Sequence, residues 1–176
     1  EMTSMDIGPG NCMIDKWIRA NSEKNFDENG NISKSGSIDK LILEKFLDNF
    51  YNNNIGKKKS LDTSDFDISF AKNLSLENGT ATITEFTADI LSKKILQNDV
   101  YVCGGGRKNK FLIEKIQKKI QKKIKNIDHL GIDGDFIESQ AFGYLAIRSF
   151  LKLPISFPET TGCKEPSIGG VIAKNY

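Results

Sequence analysis

At 176 residues the chain has the length of one domain, with enough of it to bury a core. A composition of 38% hydrophobic and 27% charged residues, with a formal net charge of +2, supplies no global field for nucleic acid or an anionic membrane. A lone histidine, His129, excludes a His-based metal cage and would leave any Ser-His-Asp triad hanging on one residue.

No apolar run reaches the roughly 18 residues needed to span a bilayer, and no basic-then-apolar leader is visible, so the expected location is the cytoplasm. Cys12, Cys103 and Cys163 are odd in number and far apart, and read as free thiols of a reducing compartment.

Along the chain, Asn11 is placed to cap a helix over residues 12–20, with Met13, Ile14, Trp17 and Ile18 on one face. Residues 21–37, "NSEKNFDENGNISKSGS", are polar and turn-rich and predict a long loop. Ser37 can then cap a second helix, "IDKLILEKFLDNFY". A polar excursion follows, whose Lys57, Lys58 and Lys59 read as solvated.

From Thr82 the pattern is helical again: "TITEFTADILSKKIL" aligns Ile83, Phe86, Ile90, Leu91 and Ile95, with Thr82 or Thr84 as cap. "DVYVCGGGRKN" is a short strand that ends in three glycines. The next helix, "KFLIEKIQKKIQKKIK", spaces Leu112, Ile113, Ile116, Ile120 and Ile124 by threes and fours. Its lysines read better as a solvated face than as a nucleic-acid patch, because no aromatics interleave them. A strand-like "KNIDHL" leads to a helix from Phe136, which Pro154 stops. Helices alternating with few short strands predict a helix-heavy α/β fold.

Three stretches can carry chemistry. In "DIGPGN", two glycines around a proline let backbone N–H groups approach an anion at a helix N-terminus, with Asp6 beside it as a base; such turns are also often only turns. In "VCGGGRKN", strand, glycines and helix describe either close ligand approach or tight packing. In "GIDGDFIESQAFGYLA", Asp133, Asp135 and Glu138 gather at a helix start, as acids do on structural grounds alone. Glu138 lies one turn inside a largely apolar helix, where a buried carboxylate would need a partner or a purpose.

The order of these pieces carries more than any one of them. "DIGPGNCMIDKW", "SKSGSID", "TITEFTA", "VCGGGRKN", "GDFIESQAFGYLA" and "LPISFPETTG" together resemble, over nearly the whole chain, the C-terminal half of the anhydro-N-acetylmuramic acid kinases. The resemblance implies an RNase H-like, actin-like ATPase lobe: α/β, helix-rich, with a short mixed sheet. Residues 1–176 would then form the second lobe of a two-lobe kinase, with the N-terminal phosphate-loop lobe absent. "MTSMD" echoes that phosphate loop only superficially and reads as the strand entering the second lobe.

By the same resemblance the activity is ATP- and Mg²⁺-dependent phosphorylation of an anhydro-amino sugar at O6, with water opening the 1,6-anhydro bridge, in cell-wall recycling. Asp6 matches the catalytic base. Gly8, Gly10 and Asn11 match the phosphate-facing turn; Gly104, Gly105, Gly106 and Asn109 match the nucleotide side. Glu138 matches an acid that contacts the sugar, and no residue is assigned to a metal. The expected partners are the sugar, the missing lobe and a second copy of the chain, since such kinases tend to dimerise. The family's K-S-T-G-R-E-x-F segment survives only as Lys59, Ser60 and Phe66, without its Gly-Arg pair, and Ile7 replaces a threonine. Alternatives are a kinase of the same superfamily acting on another sugar, or a non-catalytic binding lobe.

Overall fold

In the computed structural model, residues 3–54, 60, 61 and 63–173 are described. Helix α4 (Leu76–Lys94) is the axis of the fold, and α1 (Cys12–Asn21), α2 (Asn31–Ser35), α3 (Lys40–Asn54) and α5 (Lys110–Ile120) pack around it. Its central turns are buried nearly all round, so Thr80, Thr82, Thr84 and Thr87 lie inside with Ile83, Phe86 and Ile90. A helix surrounded on every side satisfies most of its polar groups locally, although the buried Thr87 Oγ1 has no hydrogen-bond partner among the described residues. Thr80 and Thr82 donate to the carbonyls of Leu76 and Asn78, and Thr84 meets Ser33 at 2.8 Å. Neither Thr82 nor Thr84 is a cap, since α4 starts earlier. Ser75 is its N-cap and accepts from the Asn78 N–H at 3.2 Å.

The segment read as a long loop holds a 3₁₀ turn (Glu28–Gly30) and α2. Asp27 organises it, accepting from the N–H groups of Ile32 and Ser33 and from the Ser33 hydroxyl. Helix α3 begins two residues later than expected, because Asp39 rather than Ser37 receives the first-turn N–H, from Ile42 at 3.0 Å. Its apolar side meets an aromatic cluster: Phe46 stacks on Phe70 at 3.8 Å between centroids, and Phe46 and Phe50 both touch Phe86. Lys57, Lys58 and Lys59 lie outside the described residues.

Among the described residues the sheet is parallel rather than mixed: β1 (Val100–Val102) pairs with β2 (Ile124–Asn126), with Val100 opposite Ile124 and α5 as the crossover. The isoleucine periodicity runs on past the end of α5. Gln121 adopts φ 54°, which breaks the helix and turns Ile124 into the strand. Of residues 2–6, expected as a strand, Met2 lies outside the described residues and residues 3–6 pair with neither.

Helix α6 (Ile137–Phe150) has no buried residue, and Phe142, Tyr144, Ile147 and Phe150 stand largely in solvent. A short helix, α7 (Pro158–Thr161), follows it. No helix among the described residues is long and apolar enough to cross a membrane.

Candidate active site

The DIGPGN turn and the triple glycine, separated by most of the chain, come together on asparagines. Asn11 occupies the N-cap position of α1, yet its side chain makes no capping bond. Its Oδ1 instead accepts from Asn109 Nδ2 at 3.5 Å. Asn109, 3% exposed, caps α5 by accepting from the Leu112 N–H at 3.1 Å. Two helix N-termini are thereby drawn to one place, each with its unpaired N–H groups and positive dipole end.

The glycines divide into two kinds. A Cβ on Gly8 would stand 2.8 Å from Leu91 Cδ2 and 3.2 Å from Ile90 Cγ2, so Gly8 lies close against α4. Gly10 (φ +53°) and Gly104 (φ +68°) need backbone that side chains avoid, and around them, as around Gly105 and Gly106, a Cβ would meet nothing within 4 Å. Each glycine of the triple thus has room for a Cβ within this chain. Part of its backbone is already engaged, since the Gly104 N–H donates to the Gly134 carbonyl at 2.9 Å and the Gly106 carbonyl accepts from the Asn109 N–H at 3.2 Å.

Arg107, not singled out in the sequence, braces that segment. Its side chain is 8% exposed, donates to the Gly104 carbonyl at 3.1 Å and pairs with Asp135 at 2.6 Å and Asp128 at 3.5 Å. Hydrogen bonding from Arg107 and Lys108 holds the Asp135 carboxyl far below the usual carboxylate range. Asp133 accepts from the Asp135 N–H. Of the three carboxylates gathered at the start of α6, Asp133 and Asp135 thus make structural contacts.

Glu138 differs from its expectation in another way. It is exposed, on a helix that buries nothing, so the argument from a buried carboxylate does not apply to it.

Asp6 lines a separate, wide cavity of about 1120 Å³ with Ser60, Tyr51, Lys93, Lys94 and the 158–162 turn. Neither Glu138 nor the triple glycine is among its walls. The Asp6 main chain is pinned by the Leu61 N–H, which donates to its carbonyl at 3.0 Å, and its own N–H donates to Ser60 Oγ at 2.9 Å. Lys93, more than half exposed, also lines the cavity. Burial works against the Lys93 charge, but hydrogen bonds with Tyr51 and Asp89 outweigh it and raise its pKa. Lys93 Nζ lies 3.9 Å from the Tyr51 ring centroid and 3.2 Å from Asp89.

A family model described as anhydro-N-acetylmuramic acid kinase matches residues 1–175. The chain belongs to the anhydro-N-acetylmuramic acid kinase family. It is 50% identical over 187 residues to the anhydro-N-acetylmuramic acid kinase of Pelagibacter ubique, covering 100% of this chain and 50% of that protein. The enzymes of that name from Caulobacter vibrioides (38% identity; 98% of this chain, 47% of theirs) and Zymomonas mobilis (35%; 98% and 48%) are also similar. The chain spans about half the length of the curated relatives it matches.

Within this chain, several of the segments that carried the resemblance do structural work. Thr84 of "TITEFTA" binds Ser33 of "SKSGSID". Glu85 sits between Lys115 and Lys119 at 3.0 and 2.8 Å. Of "LPISFPETTG", residues 158–162 line the Asp6 cavity. That segment signalled the family without revealing its position, and nothing in its composition points towards Asp6.

Proposed function

We propose that this chain is the second lobe of an ATP-dependent kinase that opens the 1,6-anhydro ring of anhydro-N-acetylmuramic acid and phosphorylates O6, giving N-acetylmuramic acid 6-phosphate. The observation that carries it is the joining of the two open glycine segments by Asn11 and Asn109, with the Asp6 carboxylate leading directly into the first of them. Bare backbone at two helix N-termini suits a polyphosphate, and ATP supplies the phosphoryl group. Gly10 and Asn11 would face phosphate. Gly104, Gly105, Gly106 and Asn109 would lie along the nucleotide, while Gly8 supports the turn from behind.

Asp6 takes a proton from a water whose oxygen bonds to the anomeric carbon. The bond from that carbon to the bridging oxygen breaks, and the released 6-oxygen accepts the γ-phosphoryl group as ADP departs. Among the described residues no three His, Cys, Asp or Glu side chains converge. Mg²⁺ would arrive with ATP, held largely by the substrate phosphates and water. Glu138 contacts the sugar in this reading, across the cleft made with the other lobe.

The exposed apolar face of α6 supports a second body, and the half of the family's length beyond this chain is the occupant we assign. On that reading the isolated chain has one wall of the cleft and turns over no anhydro-sugar. The test joins the chain to that other half and measures ATP-dependent phosphorylation of 1,6-anhydro-N-acetylmuramic acid, wild type against Asp6→Asn. Loss of turnover by about two to four orders of magnitude with ATP still bound is expected. Full activity of the variant would refute Asp6 as the base, and an inactive wild type would refute the substrate.

A further inference from the structure

Ser60 comes from the one family segment that this sequence largely lacks, yet it meets Asp6 twice. The Asp6 N–H donates to Ser60 Oγ at 2.9 Å, and the same hydroxyl donates to Asp6 Oδ2 at 3.0 Å. The next residue adds a third tie, Leu61 N–H to the Asp6 carbonyl at 3.0 Å. A hydroxyl has one proton and two lone pairs, so it can accept and donate at once. Closing both bonds on one residue fixes the Asp6 side-chain torsion relative to its own backbone. Both residues are exposed at the cavity wall, where an untethered aspartate would sample several rotamers.

We infer that Ser60 is a positioning residue for Asp6: it engages Oδ2 and leaves Oδ1 aimed into the cavity for the attacking water. The inference rests on the proposed role of Asp6 as base. Ser60 itself gives up no proton to the substrate. It acts by raising the fraction of Asp6 carboxylates in the reactive orientation, which enters kcat, and it contributes little to sugar or nucleotide binding. Its partner segment reaches the cavity although the family's Gly-Arg pair is gone.

The experiment uses the chain joined to the family's other half and compares Ser60→Ala, Ser60→Cys and Ser60→Thr, alone and on the Asp6→Asn background, with thermal unfolding as a folding control. Loss of orientation predicts a fall in kcat of about 10- to 100-fold for Ser60→Ala, with KM for the sugar changed less than about threefold. Ser60→Thr keeps the hydroxyl and recovers most of the rate. Ser60→Cys keeps the volume but loses the strong donor, and tracks the alanine variant. On the Asp6→Asn background Ser60→Ala produces no further loss, because a residue acting through Asp6 has nothing left to position. Wild-type kcat in Ser60→Ala, a change in KM alone, or an undiminished effect on the Asp6→Asn background would each overturn the inference. An active Asp6→Asn enzyme would instead overturn the reading of Asp6 on which it stands.

Discussion

Gly79→Ala tests whether α4 and α1 are joined as described. In an exposed helix this change stabilises by about 0.5–1 kcal/mol, because alanine is the better helix former. Here the new Cβ would lie 2.3 Å from Trp17 Cζ2, 2.4 Å from Cε2 and 2.7 Å from Nε1. Carbon contacts settle near 3.5–4.0 Å, so the indole must retreat by more than about 1 Å. It has little room, being 3% exposed in the core. Its Nε1 also donates to the Leu76 carbonyl at 3.0 Å, a bond that a retreat would stretch or break.

Overpacking of about 1–3 kcal/mol and a lost bond of about 1 kcal/mol outweigh the propensity gain, for a net cost of about 1–3 kcal/mol. For a chain of this size that lowers Tm by about 3–10 °C, read by far-ultraviolet circular dichroism. Trp17 fluorescence should shift as the ring moves. An unchanged or raised Tm would refute the packing of Trp17 over Gly79.

Gly105→Val should leave Tm nearly unchanged, since a Cβ there meets nothing within 4 Å, yet weaken ATP binding in calorimetry if that backbone faces the nucleotide. Asn109→Ala should cost about 1 kcal/mol through the lost α5 cap, whereas Asn109→Asp keeps the acceptor for Leu112 and most of the stability while losing the donor to Asn11; equal Tm losses would contradict this division. Burial pushes the Glu85 carboxyl up, but Lys119 and Lys115 more than compensate and hold it below its ordinary value of 4.5. A depressed folded pKa contributes stability that is present above the unfolded value and lost as pH falls through the folded one. Glu85→Gln should therefore lower Tm at neutral pH, with the gap to wild type narrowing progressively below about pH 4.5 in a pH series of melts; a gap independent of pH would refute the ion-pair origin.

The legible parts of the fold were those written in periodicity. Met13, Ile14, Trp17 and Ile18 are spaced for one helix face and are all buried on α1, and the same rule located α3, α4 and α5. It failed where the isoleucine spacing outlasted the helix: Ile124 keeps the period of α5, but a left-handed Gln121 redirects it into β2. Capping was also misread at α4. Several residues there can cap in isolation, and the threonines were taken up by the core instead. At the site, the glycine turns were visible as motifs, but their meeting through Asn11 and Asn109 was not.

Periodicity and motif order in the sequence are enough for the helix-rich α/β class, for the family, and for Asp6 with the two glycine segments as candidate site residues. These rest on local chemistry and on order along the chain, both of which a linear string records. Packing in three dimensions shows which glycine lies close against α4 and which have room for a Cβ, and that Asp133 and Asp135 are held in structural contacts. It also shows that Glu138 stands exposed and that Ser60 clamps Asp6. Each depends on what lies opposite a residue in space, and a partner 54 positions away in sequence leaves no periodic mark.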